Sequence, residues 1–208
     1  LLVAVSAASG APPPLYPCDT QPPPGPAWTE VRRTADMRLY QRDIAGAAPE
    51  AAVRVRWQAS PRALYRLIWK YEHFAGVIPN VGVSEVLERD GHRVWVYQRL
   101  EYPAPVRHRH YVLESSDGLS APAQGKYRVE WRLSERFELP GEAGAVSPET
   151  FGGCWDIRPT RDGLEALYRI SLDPGGLVPH WLTRHAMRGY LIELMTALRR
   201  QLDTGKGR

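Results

Sequence analysis

Apolar residues alternate with polar ones along much of the chain from Trp28 onward, which is the pattern of β-strands with one buried face. The clearest segment places Val53, Val55 and Trp57 on one face and the arginines between them on the other. This alternation predicts strands over 28–34, 37–44 and 51–59. Six more strands are predicted over 81–89, 92–102, 108–115, 127–137, 152–159 and 164–173, several of them separated by Asp-Gly turns. Their spacing indicates an antiparallel meander.

Two segments instead repeat their apolar residues with the 3.6-residue period of an amphipathic helix. The first begins after Ser60, a residue suited to the N-cap, with Pro61 at the first helical position. Its apolar face consists of Leu64, Leu67, Ile68 and Tyr71. The second is predicted over 179–202, with an apolar stripe of Met187, Leu191, Leu194, Leu198 and Leu202. At about 1.5 Å per residue this helix is roughly 35 Å long, so it needs a concave sheet to lie against.

The composition is typical of one globular domain. The chain has 208 residues, of which 43% are hydrophobic and 24% are charged. A net charge of +4 permits attraction to anionic membrane surfaces and does not by itself indicate nucleic acid. Beyond its first residues, the chain has no run of the roughly 18 to 20 apolar residues needed to cross a bilayer. Because residues 10–27 are rich in proline, we assign residues 1–27 to an extended arm and residues 28–204 to the domain.

The first residues, LLVAVSAASGA at 1–11, resemble the end of a secretory signal. This interpretation predicts a periplasmic or secreted bacterial protein, and the alternative is an ordinary docked or disordered arm on a cytoplasmic protein. The chain has two cysteines, Cys18 and Cys154. In an oxidising compartment they would form a disulfide that ties the arm to the domain. The alternative is two unrelated thiols.

Three segments resemble the START family of lipid-binding domains. They are VYQRLEYPAPVRHRHYV at 96–112, GCWDI at 153–157 and DPGGLVPHW at 173–181. The resemblance spans roughly residues 30–202. Within the family, the sequence is particularly similar to START domains of the phosphatidylcholine-transfer-protein type. The resemblance implies an α+β helix-grip fold, in which a curved antiparallel sheet wraps around the long C-terminal helix and encloses a hydrophobic cavity.

The resemblance also implies a function, which is to bind and transfer a lipid, a sterol or another hydrophobic small molecule. Transient contact with a membrane surface would involve a lid that includes Leu177, Val178 and Trp181. One position departs from the family pattern, because the family's Arg-Asp pair is Arg109-His110 in this chain. Any head-group contact that the family makes through that carboxylate is lost, so specificity for phosphatidylcholine does not follow.

The expected cavity would be mainly apolar, with a few polar groups that orient the ligand. Its charged candidates are Arg99 and Arg109, on the two strands that flank the Tyr-Pro-x-Pro turn. Arg109 would face a phosphate or carboxylate of the ligand, or a structural acid such as Glu101. For each arginine the alternative is a solvated position at the surface. The remaining candidates are Trp69, Tyr97, Tyr111, Trp131, Trp155, Tyr168, Trp181 and His185. The alternative for each aromatic residue is ordinary packing in the core.

No catalytic motif is recognisable, since the chain has no Gly-rich phosphate loop, nucleophile elbow or zinc motif. His108 and His110 share a strand face but lack a third metal ligand at a suitable spacing. We therefore predict a non-enzymatic binding protein without cofactor or metal. One alternative is a polyketide aromatase/cyclase-like enzyme on the same broad fold, and another is a ligand-free interaction module. The binding hypothesis requires a ligand-sized hollow between the sheet and the long helix.

Overall fold

The computed structural model describes residues 15–16, 18, 23–104, 106–141, 144–176 and 178–205. The signal-like segment at 1–11 and Leu177 of the expected lid lie outside the described residues. The strands are β1 (Thr29–Arg33), β2 (Met37–Arg42), β3 (Glu50–Trp57), β4 (Val81–Asp90), β5 (Arg93–Leu100), β6 (Arg109–Ser116), β7 (Tyr127–Leu133), β8 (Thr150–Thr160) and β9 (Gly163–Asp173). Each of them overlaps one strand that the alternation predicts, so the strand assignment is confirmed.

Within the described part of the chain, these strands form one sheet in the order β1-β2-β3-β9-β8-β7-β6-β5-β4. Every neighbouring pair is antiparallel. Strands β4 to β9 follow one another as the predicted meander. Strand β3 pairs with β9, from Glu50 opposite Ser171 to Trp57 opposite Leu164. This long-range pairing joins the three N-terminal strands to the meander and makes one continuous sheet.

Two α-helices accompany the sheet in the described chain, α1 (Pro61–Trp69) and α2 (His180–Gly205). Ser60 occupies the N-cap position of α1, but its side chain makes no capping hydrogen bond. Tyr71 belongs to a short 3-10 turn (Tyr71–His73) that follows α1, so the predicted helical face is one residue shorter. None of the described helices has the length and apolarity that a membrane-spanning helix requires.

The sheet has two faces with different partners. On the concave face, Val53, Val55 and Trp57 share one core with Leu191 and Leu198 of α2. Every residue of the predicted α2 stripe is buried, and removal of this apolar surface from water stabilises the packing of α2 on the sheet. A curved antiparallel sheet around a long C-terminal helix is the α+β helix-grip architecture expected from the sequence.

The convex face is partly covered by the N-terminal arm. Cys18 forms a disulfide with Cys154 of β8, and their Cα atoms lie 6.2 Å apart. The Tyr16 hydroxyl donates a hydrogen bond to Glu50 Oε1 at 2.9 Å. Of the two interpretations that the sequence left open for the cysteines, the structure therefore contains the disulfide.

Candidate functional site

Two adjoining chambers lie between α2 and the concave face of the sheet. The larger, which we call the Arg109 chamber, has a volume of about 340 Å³. Its lining is mainly apolar and includes Leu100, Tyr102, Arg109, Tyr111, Phe151, Ile170, Leu172, Met187, Gly189, Tyr190 and Glu193. The smaller, which we call the tryptophan chamber, has a volume of about 70 Å³. It is lined by Tyr71, Gln98, Leu113, Trp131, Trp155, Tyr168 and Leu198, among others.

Four side chains line both chambers and form an aromatic partition between them, which consists of Leu100, Tyr111, Phe151 and Tyr190. Tyr111 and Phe151 meet edge to face, with ring centroids 5.0 Å apart. The Tyr111 hydroxyl donates a hydrogen bond to Gln98 Oε1 at 3.2 Å, which fixes this ring at the boundary. The hollow required by the binding hypothesis is therefore present, but side chains divide it into two unequal parts.

Aromatic rings fill most of the space on the tryptophan side. The Tyr168 ring lies between the rings of Trp131 and Trp155, with centroid separations of 5.4 and 4.5 Å. These rings pack at the distances typical of aromatic pairs, so they have little freedom to move independently. A molecule that enters this chamber would touch both indoles, which makes tryptophan fluorescence a direct reporter of its occupancy.

The tyrosine hydroxyls around the chambers are held in the neutral form. Burial raises the pKa of Tyr111 and of Tyr168 well above the ordinary value of 10.0, and neighbouring tyrosines raise it further. Burial also raises the pKa of Tyr190. Burial raises the pKa of Tyr102 as well, against an opposing effect from the charge of Arg109. At neutral pH these groups can therefore give or accept hydrogen bonds but carry no charge.

Five sequence candidates line the chambers. Tyr111, Trp131, Trp155 and Tyr168 line the tryptophan chamber, and Arg109 and Tyr111 line the Arg109 chamber. They come from four strands, β6, β7, β8 and β9. The structure thus brings these side chains together, while their contact with a ligand stays a prediction.

Two candidates, Tyr97 and Arg99, have their side chains on the convex face of the sheet, so their assignment to the cavity lining was wrong. Tyr97 packs against Trp95 and Val112 on the convex face, and Arg99 forms an ion pair with Glu101. Successive residues of a strand point to opposite faces, so the concave positions of β5 are instead the even-numbered residues from 94 to 100. The aromatic ring of Tyr97 suggested a lining residue, but its position in the strand places the ring on the convex face.

Three further candidates also lie outside the lining of both chambers. Trp69 stacks near Tyr65 and meets Tyr71 edge to face at the margin of the core. Trp181 is 63% exposed at the start of α2. His185 is exposed one turn later. Both α2 residues were predicted from proximity to the helix start, whereas the buried face of α2 begins with Thr183 and Met187.

Sequence reasoning missed three residues that shape the site, namely Gln98, Phe151 and Tyr190. A signal existed for two of them. Gln98 follows the strand phase of Val96, and Tyr190 lies three residues after Met187 on the apolar stripe of α2. Phe151 has the strand phase of Trp155 but lies one residue before the predicted strand 152–159, so the prediction did not include it.

The departure from the family pattern at His110 lies away from the chambers. His110 pairs with Arg99 across β5 and β6, and its buried ring meets Tyr97 edge to face at a centroid separation of 6.3 Å on the convex face. The change from an acid to histidine therefore leaves the lining unaltered. In the part of the chain that the structure describes, no three His, Cys, Asp or Glu side chains form a group able to hold a metal ion.

Comparison with known sequences gives limited information. No family model matches the chain. The chain is 25% identical to an uncharacterized protein of Pseudomonas aeruginosa over 99 residues, which make up 47% of this chain and 48% of that protein. The match thus spans about half the length of the curated relative.

Comparison with solved structures identifies the fold. A STAR-related lipid transfer protein fragment from Xanthomonas axonopodis superposes with a TM-score of 0.75 at 24% identity, covering 85% of this chain and 99% of that one. Human STARD10 gives a TM-score of 0.75 at 14% identity, covering 85% and 73% of the two chains. The Zhui aromatase/cyclase from Streptomyces sp. R1128 gives 0.53 at 13% identity, covering 79% and 93%. At these identities the similarities establish the fold, which is the helix-grip fold of START domains.

Proposed function

We propose that this protein binds a hydrophobic small molecule in the Arg109 chamber, with the tryptophan chamber as an extension of that site. The observation that carries the proposal is a mainly apolar hollow of about 340 Å³ between α2 and the sheet. Pockets for small molecules have this character and a volume of about 300 to 1,000 Å³. The lipid-transfer proteins of similar fold support the same conclusion.

The volume also limits the ligand. At about 340 Å³ the Arg109 chamber lies near the lower end of the range for ligand pockets. We therefore favour a sterol-sized or single-chain ligand over a phospholipid with two long acyl chains, such as phosphatidylcholine. A two-chain ligand would require the aromatic partition to open and α2 to move away from the sheet.

We further propose that the protein binds its ligand without transforming it. General acid–base catalysis works best with groups whose pKa lies near the working pH. Burial raises the pKa values of Tyr111, Tyr168 and Tyr190 away from neutrality. Apart from the exposed Glu193, the lining of the two chambers, so far as the chain is described, contains no histidine, aspartate or glutamate. The aromatase/cyclase alternative therefore rests on similarity of fold alone.

Replacement of Gly189 by phenylalanine should block the Arg109 chamber without unfolding the protein. Gly189 lies on α2 in the chamber lining, and a Cβ built there meets no atom within 4 Å. A phenylalanine ring would fill space that the ligand needs, so we expect binding of cholesterol, dodecanol and dodecanoate to fall by at least about tenfold, or about 1.4 kcal/mol. Quenching of tryptophan fluorescence and the mass of the extracted ligand measure this effect.

Gly189→Ala is the matched control. Its methyl group leaves the chamber open, and alanine in place of glycine should stabilise an exposed helix position by up to about 1 kcal/mol. We therefore expect Gly189→Ala to keep binding and to melt no lower than the wild type. Equal binding by Gly189→Phe and Gly189→Ala would contradict the site. A ligand recovered with an altered mass would contradict the non-enzymatic role.

We propose that release and uptake of the ligand take place at a membrane surface through the start of α2. Trp181 and Leu182 are 63% and 42% exposed there, and α2 lines the Arg109 chamber from Ala186 onward. Exposed aromatic side chains favour the membrane–water interface. Trp181→Ala should weaken association with vesicles by roughly 70-fold, since loss of about 100 Å² of apolar surface costs about 2.5 kcal/mol. Leu119→Ala, at another exposed apolar position, should bind vesicles like the wild type, and an unchanged affinity in Trp181→Ala would contradict the proposal.

We propose that the protein works in an oxidising compartment, the periplasm or the exterior. The disulfide between Cys18 and Cys154 supports this proposal, because disulfides persist in such compartments and are rare in the cytosol. The signal-like residues 1–11 point the same way. Two free thiols in protein isolated from its native host would contradict it.

A further inference from the structure

Arg109 has an unusual environment for a charged side chain. It is the first residue of β6, it is partly buried, and it lines the Arg109 chamber. Its Nε donates to the carbonyl oxygen of Pro174 at 2.8 Å, and its Nη1 donates to the carbonyl oxygen of Arg107 at 2.6 Å. These bonds fix the orientation of the guanidinium group but do not neutralise its charge.

No carboxylate of the described chain lies within ion-pairing distance of Arg109. Other partly buried arginines of this protein do have such a partner, for example Arg54 with Glu165 at 2.6 Å. A guanidinium held in a mainly apolar chamber without a counter-charge is expensive to desolvate. Arg109 therefore provides a binding position for an anion, in a form suited to the paired oxygens of a carboxylate or phosphate.

The surroundings of Arg109 are consistent with the polar end of an amphiphile. Tyr102 and Asn80 line the same chamber. Burial raises the pKa of Tyr102, and the nearby charge of Arg109 opposes that rise. Glu193 also lines the chamber but is exposed, so water screens its charge. The remaining lining is apolar and leads to the aromatic partition, beyond which the tryptophan chamber has room for the end of a thin chain.

We propose that the Arg109 chamber selects a single-chain amphiphile with an anionic head, either a carboxylate or a phosphate, and that Arg109 binds this head. The alkyl chain lies along Leu172, Ile170 and Met187 toward the aromatic partition. The inference rests on the proposed function, because it names the class of ligand for the same chamber. It makes Arg109 the residue that determines specificity, while the apolar lining supplies most of the affinity.

Dodecanoate, dodecyl phosphate and dodecanol share one chain and differ in the head, so they test the proposal with the full-length protein. We expect the wild type to bind at least one of the two anions about tenfold or more tightly than dodecanol, since a hydrogen bond to a charged group typically contributes that much. The anion that binds more tightly identifies the head. Titration followed by tryptophan fluorescence gives the three dissociation constants.

Arg109→Gln should remove the preference for the anion and leave dodecanol binding within about twofold of the wild type, because the apolar lining is unchanged. Arg99→Gln is the matched control, since Arg99 lies on the neighbouring strand with its side chain on the convex face; it should keep the preference. Arg109→Lys retains the charge without the paired donors and should keep part of the preference. If Arg109→Gln does not fold, the inference is tested by the ratio of the dodecanol and anion dissociation constants, measured for the wild type and for Arg109→Lys.

Several outcomes would overturn the inference while the proposed function stands. They are equal binding of dodecanol and both anions by the wild type, or an equal loss of all three ligands in Arg109→Gln. A loss of anion binding in Glu193→Gln as large as that in Arg109→Gln would also overturn it, because the effect would then not be specific to the charge of Arg109. By contrast, a chamber that binds none of the three compounds, nor cholesterol, would contradict the proposed function itself.

Discussion

Glu50→Gln is expected to lower the free energy of unfolding by about 3–5 kcal/mol, the usual cost of removing one partner from a buried ion pair. Glu50 accepts hydrogen bonds from Arg169 Nη2 at 3.0 Å to each of its carboxylate oxygens. Arg42 and Tyr16 donate to the same carboxylate. Glu50 is 5% exposed and Arg169 is 1% exposed, so glutamine would remove the negative charge from a buried ion pair.

The melting temperature should fall by roughly 6–20 °C, since each kcal/mol corresponds to about 2–4 °C in a domain of this size. Denaturation with guanidinium chloride gives the free energy directly. Glu30→Gln is the control, because Glu30 pairs with Arg33 at the exposed edge strand β1, and exposed pairs contribute little. An equally small effect at Glu50 would mean that this charge cluster does not hold the N-terminal strands to β9.

The same residue predicts a dependence on pH. Burial by itself would raise the pKa of Glu50, but hydrogen bonds from Arg42 and Arg169 lower it below the ordinary value of 4.5. A lowered folded-state pKa means that this stabilisation is complete above the unfolded pKa and is lost as the pH falls through the folded pKa. The difference in stability between the wild type and Glu50→Gln should therefore shrink in strong acid.

Cys18→Ser is expected to lower the free energy of unfolding by about 2–5 kcal/mol. The disulfide closes a loop between positions 136 residues apart in the sequence, and a long closed loop strongly restricts the unfolded chain. It also holds the arm on the convex face, where the Leu15 amide donates to Glu130 Oε2 at 2.8 Å. Release of the arm would expose this carboxylate and the thiol of Cys154, both of which are buried in the wild type.

Reduction distinguishes loss of the disulfide from an effect of the serine. Reduced wild type should unfold at the same denaturant concentration as Cys18→Ser, and the reductant should leave Cys18→Ser unchanged. Because Cys18 lies in the arm and far from the lining of both chambers, ligand affinity below the transition should be preserved. Equal stability of the oxidised wild type and Cys18→Ser would contradict the prediction, because it would show that the disulfide does not stabilise the fold.

The relation between sequence and structure differs among the lining residues. Strand alternation predicts only which residues share a face, so that Gln98 lies with Val96 and not with Tyr97. Trp131, Trp155, Tyr168 and Tyr97 were all candidates because of their aromatic rings, and the packing of α2 on the sheet decides which face of each strand is concave. At Arg109 the sequence left three readings, a ligand contact, a structural acid such as Glu101 or a solvated surface, because its surroundings depend on Pro174 and α2, which are distant in the chain.

The sequence by itself determined the strands, the two helices, their order and the helix-grip fold, because periodic burial and turn chemistry are encoded within short segments. Only the tertiary structure decided the pairing of β3 with β9, the burial of Arg169 against Glu50, and the aromatic partition that divides the hollow. These features arise where residues far apart in sequence meet. Their geometry depends on side-chain packing in three dimensions, which no local pattern of apolar and polar positions specifies.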